Sequence, residues 1–137
     1  MPYQTFDHTA DLGILVQAES PVALFEEAAR ALSEQICGPR PFAATGEIRV
    51  TITGGDWPDL MINWLRELLY LVNGKHLVFG PVDIQLFTEF NLEAVVPVDS
   101  AGCAPHDMFN EIKAVTYHQL QVEPSDGGWL ARIIFDI

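Results

Sequence analysis

Positive charge is scarce in this chain: 7 Lys and Arg stand against 19 Asp and Glu in 137 residues, a formal charge of -12. A surface of that sign repels phosphate backbones, so direct nucleic-acid binding is not expected. It suits a basic protein, a metal ion or a partner with a cationic groove, as well as plain solubility. Cysteine is scarcer still. Cys37 and Cys103 are far apart in sequence and outside any C-x-x-C pair, which reads as two reduced thiols in a reducing compartment. Apolar types make up 49% of the chain, yet no run approaches the roughly 18 residues that span a bilayer. Met1-Pro2-Tyr3-Gln4-Thr5 has neither the basic nor the apolar region of a secretory signal. A soluble, cytoplasmic protein with no membrane partner is the expectation.

Two kinds of site are also missing. Thr53-Gly54-Gly55-Asp56 has neither the spacing nor the Lys of a phosphate-binding loop. His8, His76, His106 and His118 show no i, i+4 helical pairing and both cysteines are isolated, so zinc is not expected.

What is present fits one domain with its own core. Residues 2 to 6 and 13 to 18 read as strands flanking an acidic loop. Ser20 offers an N-cap before Pro21, and Phe25, Ala28, Ala29, Leu32 and Ile36 recur at helical spacing until Gly38-Pro39. Ile48, Val50 and Ile52 alternate with polar residues as a half-wet strand. A second helix runs from Asp56-Trp57-Pro58 to Asn73-Gly74 with a broad apolar stripe. Residues 77 to 87 and 91 to 98 make an antiparallel pair, residues 99 to 110 a loop, and Lys113 to Val122 with Trp129 to Asp136 a last hairpin. The fold class is therefore α+β: a single compact domain in which a mostly antiparallel or mixed sheet of about seven strands is covered by two main helices.

The chemistry concentrates in acids near the two ends. Phe135-Asp136-Ile137 places a carboxylate one residue before the terminal carboxyl group, after an apolar run that is expected to be docked rather than frayed. Asp7-His8-Thr9-Ala10-Asp11-Leu12-Gly13 is a second acidic element. If the fold joins the two, three or four oxygen donors can converge on one hard cation, Ca²⁺, Mg²⁺ or Mn²⁺. Each residue also has a plainer reading. Asp11 serves as a turn residue bonding its own backbone, Asp136 as an exposed strand end, and His8 as a structural histidine. In Glu111-Ile112-Lys113-Ala114-Val115-Thr116-Tyr117-His118, register decides what meets Asp136. Pairing Glu123 with Trp129 would put Thr116 opposite Asp136 with His118 on the same face, whereas Lys113 would need a slip or a bulge. Lys113 can equally neutralise Glu111 or Glu67.

Four segments together resemble the archease family: His8-Thr9-Ala10-Asp11-Leu12-Gly13, Asn63-Trp64-Leu65-Arg66-Glu67-Leu68-Leu69, Glu111 to His118, and Ile134-Phe135-Asp136-Ile137. The resemblance covers essentially the whole chain. It departs at Arg66, where the family often has Asn, and in the loop from Asp99 to Asn110. It implies an accessory protein, not an enzyme, whose partner is an RtcB-type RNA ligase of tRNA splicing and RNA repair. Such proteins promote guanylylation of the ligase by GTP and its multiple turnover, and meet GTP only through the ligase. By the same resemblance Asp11 and Asp136 are the metal-binding pair, helped by the Ile137 carboxylate and holding a divalent cation, Ca²⁺ first. Lys113 and Glu67 carry over as neighbouring functional residues, with His8 and His118 as further candidates. Two other readings compete: a metal-dependent phosphohydrolase using Asp11, Asp136 and a histidine, and a chaperone-like binding module, which requires a large exposed apolar patch.

Overall fold

The computed structural model describes residues 2–8, 11–104 and 107–137, with Asp7 and His8 placed by their backbone alone. Caps fix where both helices begin. The Ser20 hydroxyl accepts from the Ala23 N–H at 3.2 Å, and the Asp56 carboxylate accepts from the Asp59 N–H at 2.9 Å. Each satisfies a backbone donor that the first turn leaves unpaired. Helix α1 thus spans Pro21–Cys37 and α2 spans Trp57–Asn73, each with a proline in its first turn. These are the expected positions. Among the described residues, neither helix is long and apolar enough to cross a membrane.

Among the described residues eight strands surround them: β1 (Tyr3–His8), β2 (Asp11–Ala18), β3 (Gly46–Thr53), β4 (Val78–Phe79), β5 (Asp83–Phe87), β6 (Asn91–Asp99), β7 (Ala114–Ser125) and β8 (Gly128–Asp136). They divide into two antiparallel sheets. The terminal sheet has the order β1-β2-β8-β7. In the other, β3 pairs along one edge of β6 while β4 and β5 share the other edge.

The α+β class, the two helices, the antiparallel pairing and the approximate number of strands are as expected; among the described residues the strands divide between two sheets rather than forming one. The helices form the layer between. Helix α1 packs on β1, β2 and β8 of the terminal sheet and on β5 of the other, and α2 packs on β7 and on β3, β4 and β6. A helix in that position must be apolar on more than one side. In α2, Leu60, Met61, Ile62, Trp64, Leu65, Leu68, Leu69, Leu71 and Val72 are all buried. The Trp64 indole N–H donates to the Phe25 carbonyl at 3.0 Å, so the largest buried side chain also ties the helices together.

Two further expectations change. The strands reach further into the acidic segment than expected: β1 runs through Asp7 and His8, and β2 starts at Asp11, which is a strand residue rather than a turn residue, while residues 9 and 10 lie outside the described residues. In the last hairpin the two-residue turn Asp126-Gly127, with φ of 47° and 79°, pairs Pro124 with Trp129 and Glu123 with Leu130. Positive φ at both central residues is what the strand twist favours in a tight hairpin. Farther along, Thr116 pairs with Ile134 and Gln121 with Arg132, so residues 117–120 stand opposite Ile133 alone. Gln119, at φ 52°, sits inside this bulge. Its effect is that Ala114, not Thr116, is the partner of Asp136.

Candidate functional site: an acidic pair on the terminal sheet

On the terminal sheet, Ile14, Val16, Val115, Val122, Ala131, Ile133 and Phe135 belong to the core. Strand alternation therefore turns Asp11, Gly13, Arg132, Ile134, Asp136, Ala114 and Thr116 to the outer face, away from the helices. There Asp11 and Asp136 are register partners. Directly opposed residues have Cβ atoms roughly 5 Å apart, and like charges in that arrangement repel. The two ends of the sequence thus meet as expected, through neighbouring strands.

The strand carrying Asp136 is interior, with β2 on one side and β7 on the other. The Lys113 N–H donates to the Asp136 carbonyl at 2.7 Å, which clamps the chain one residue before its end. Ile137 follows Asp136 and is 39% exposed. His8 is the register partner of Asp11 on β1, while its side chain, like that of Asp7, lies outside the described residues.

Paired carboxylates are hard oxygen donors, the chemistry that suits Ca²⁺, Mg²⁺ or Mn²⁺. Among the described residues no group of three or more His, Cys, Asp and Glu side chains is arranged to hold a metal ion. Among the described residues Asp11 and Asp136 are thus not joined by a third such side chain. An opposed like-charged pair is the feature that a cation would relieve.

Beside the acidic pair lies a platform that sequence reasoning missed. In the next row of the same face Phe6 stands opposite Gly13 and Gly13 opposite Ile134. The Phe6 ring lies over the bare Gly13 Cα. Ile134 is fully buried although it faces outward. The Arg132 guanidinium sits 4.4 Å from the Phe6 ring centroid and donates to Gln119 Oε1 at 2.9 Å. Period-two spacing carried the signal, since Phe6 precedes His8 by two and Gly13 follows Asp11 by two.

The remaining candidates lie elsewhere. Lys113 precedes the Ala114–Asp136 pair, so its side chain is not on the face of the acids; with Arg66, Tyr70 and Asn73 it lines a cavity of about 270 Å³ beside α2. The expected ion pairs of Lys113 with Glu111 or Glu67 do not form among the described residues. Glu67 is a half-buried residue of α2. His118 is exposed in the β7 bulge, so it does not share a regular strand face with Asp136. Nearby, Arg66 donates to the Val115 carbonyl at 3.3 Å and stacks 5.0 Å from the Tyr117 ring centroid, and the Tyr117 hydroxyl donates to Asp59 at 3.2 Å.

Residues 3–137 match the model of the Archease protein family (MTH1598/TM1083). Among curated relatives, the protein archease of Methanosarcina mazei is 33% identical over 98% of this chain and 95% of its own length. That of Pyrococcus furiosus is 31% identical over 98% of both. The solution structure of Methanobacterium thermoautotrophicum protein 1598 superposes with a TM-score of 0.78 at 30% identity, covering 99% of each chain. A crystal structure of an archease from Thermotoga maritima, described as a possible chaperone, gives 0.66 at 21% identity over 98% of this chain and 96% of its own. At that identity the likeness is one of fold.

Proposed function

The chain belongs to the archease family, and from that premise we propose that it activates an RtcB-type RNA ligase by promoting GTP-dependent guanylylation of the ligase and its multiple turnover. It is an accessory protein without catalytic residues of its own, and it works in the cytoplasm. The observation that carries the reading is the register pairing of Asp11 with Asp136 on an exposed sheet face at the clamped C-terminus. A divalent cation, Ca²⁺ first, is held there by the two aspartates and the Ile137 carboxylate; when bound, it supplies positive charge at an otherwise acidic tip. The chain's own residues hold that tip rigid. Strand β8 is fixed on both sides, and the Phe6–Arg132 platform packs against the next row.

Charge supports the choice of partner. A chain of formal charge -12 is drawn to a cationic cleft, and such steering raises the rate of encounter more than the final affinity. The test is transfer of labelled GMP to the cognate ligase at limiting GTP. This protein in substoichiometric amount should accelerate transfer, Asp11→Ala and Asp136→Ala should lose the effect while folded, and rising salt should weaken it, because screening sets in at about 8 Å at physiological ionic strength. Equal transfer rates with and without the protein would overturn the proposal. Turnover of phosphate esters by the protein alone would point to the hydrolase reading instead.

A further inference from the structure

Acids outnumber cations 19 to 7 in this chain, yet one cavity reverses the sign. It holds about 270 Å³ between α2 and the start of β7, and its described lining includes two cations, Arg66 and Lys113, and no carboxylate. Arg66, Tyr70 and Asn73 recur at i, i+4 and i+7, so one exposed stripe of α2 supplies a wall of it. Lys113, next to the first residue of β7, belongs to the other wall.

The cationic groups are held before any ligand arrives. The Arg66 guanidinium donates to the Val115 carbonyl at 3.3 Å and stacks 5.0 Å from the Tyr117 ring centroid. The Asp59 carboxylate accepts from the Tyr117 hydroxyl at 3.2 Å, and neither Arg66 nor Lys113 forms an ion pair among the described residues. Most of the guanidinium N–H donors therefore remain for an oxyanion, and fixing the group in advance lowers the ordering cost of binding. The backbone bond from Lys113 to the Asp136 carbonyl anchors the second cation at its root. Tyr70 is 53% exposed, and its ring lies against the bare Gly74 Cα.

From this cavity we propose that the chain binds a nucleoside phosphomonoester, with the phosphoryl group between Arg66 and Lys113 and the base stacked on Tyr70. A carboxylate carries one charge, whereas a phosphomonoester carries about -1.5 to -2 at pH 7 and three acceptor oxygens, enough to serve both cations at once. The cavity is smaller than the roughly 300–1,000 Å³ of sites that enclose a whole ligand, so it takes the phosphoryl group and leaves the base at the rim, where Tyr70 stands. Every base has a face that stacks on such a ring. The acidic surface repels a long phosphate backbone, but a charge is felt over only about 8 Å at physiological ionic strength, and the cavity itself is cationic. The site is distinct from the face of Asp11 and Asp136, and the inference holds with or without a ligase partner.

The experiment titrates the isotopically labelled full chain with AMP and follows the amides of Lys113, Ala114 and Val115 by NMR. These signals should shift to saturation. Inorganic phosphate should shift the same signals with weaker affinity, and adenosine should leave them in place. Arg66→Gln and Lys113→Gln should each weaken AMP binding by about tenfold or more, the loss of one charge-assisted contact. Lys113 is exposed, so its variant keeps the test decisive if Arg66→Gln disturbs the stack on Tyr117. Tyr70→Leu should bring AMP down to the affinity of inorganic phosphate. An oligonucleotide with the same terminal phosphate separates the two sources of this chemistry: tighter binding than AMP assigns the site to a strand end, weaker binding to a free nucleotide. Unmoved signals, equal affinities for AMP and inorganic phosphate, binding of N-acetylaspartate as tight as that of AMP, or AMP binding unchanged in Lys113→Gln would each overturn the proposal.

Discussion

Gly13 sits under the Phe6 ring, one same-face row from the acidic pair, and this contact makes a quantitative demand. A methyl group at position 13 would overlap the Cζ, Cε1 and Cε2 carbons of Phe6. The ring can move only by leaving Gly13 and its place under Arg132, whose guanidinium now lies 4.4 Å from the ring centroid. Forcing extra volume into such a contact costs about 1–3 kcal/mol. Against it stands a gain of about 0.5–1 kcal/mol, because glycine is the poorer strand residue. Gly13→Ala should therefore cost the protein a net of between about 0 and about 2.5 kcal/mol. In a Phe6→Ala background the overlap vanishes and only the gain remains, so the same substitution should stabilise by about 0.5–1 kcal/mol. The coupling is about 1–3 kcal/mol, large enough for a double-mutant cycle of four urea unfolding curves. If Gly13→Ala costs the same in both backgrounds, within about 0.5 kcal/mol, then the close approach of Phe6 is not why glycine stands there.

Removing one of two opposed carboxylates should relieve repulsion, so without divalent cations Asp136→Ala should melt at an unchanged or higher temperature, a gain of up to about 1 kcal/mol. A strong downward shift in chelator would show that Asp136 is structural. Titrated by calorimetry with Ca²⁺, the natural chain should bind and the Asp11→Asn, Asp136→Asn double variant should not, and equal heats for the two would rule out the pair as the ligands. The Cys37 thiol, pushed up from 9.0 to about 12 by burial, favours the folded state only while protonated. Its contribution is complete below the ordinary thiol value and is lost as pH rises through 12. Melting temperature should therefore fall more steeply from pH 9 to pH 12 for the reduced natural chain than for Cys37→Ser, and parallel curves would remove burial of the thiol as the cause.

Local chemistry made the helices legible. Ser20 and Asp56 each serve a backbone donor three residues on, and the residues that signal the caps are the residues that form them. The division of strands between two sheets was not legible in the same way. Alternation in Ile48, Val50 and Ile52 states that one face is buried, but not against which layer. That became clear only because α2 is apolar on more than one flank and needs a sheet on each side.

The acidic pair could be read because two adjacent strands suffice to make it, whereas the placing of Lys113, Thr116 and His118 turned on a bulge. Its cause is visible in Val115 and Val122, which are both buried against the helices. They are seven positions apart, and a regular strand sends residues an odd number apart to opposite faces. Continued from Pro124–Trp129, the hairpin register would bring Tyr117 opposite Asp136 and turn Val115 outward. The bulge at 117–120 shifts the ladder by an odd number of residues, which returns Val115 to the core beside Phe135 and leaves Ala114 opposite Asp136. A small residue there leaves open the outer face beside the two carboxylates, while Lys113 is turned toward α2. Burial of two valines thus decides which side chains surround the acidic pair.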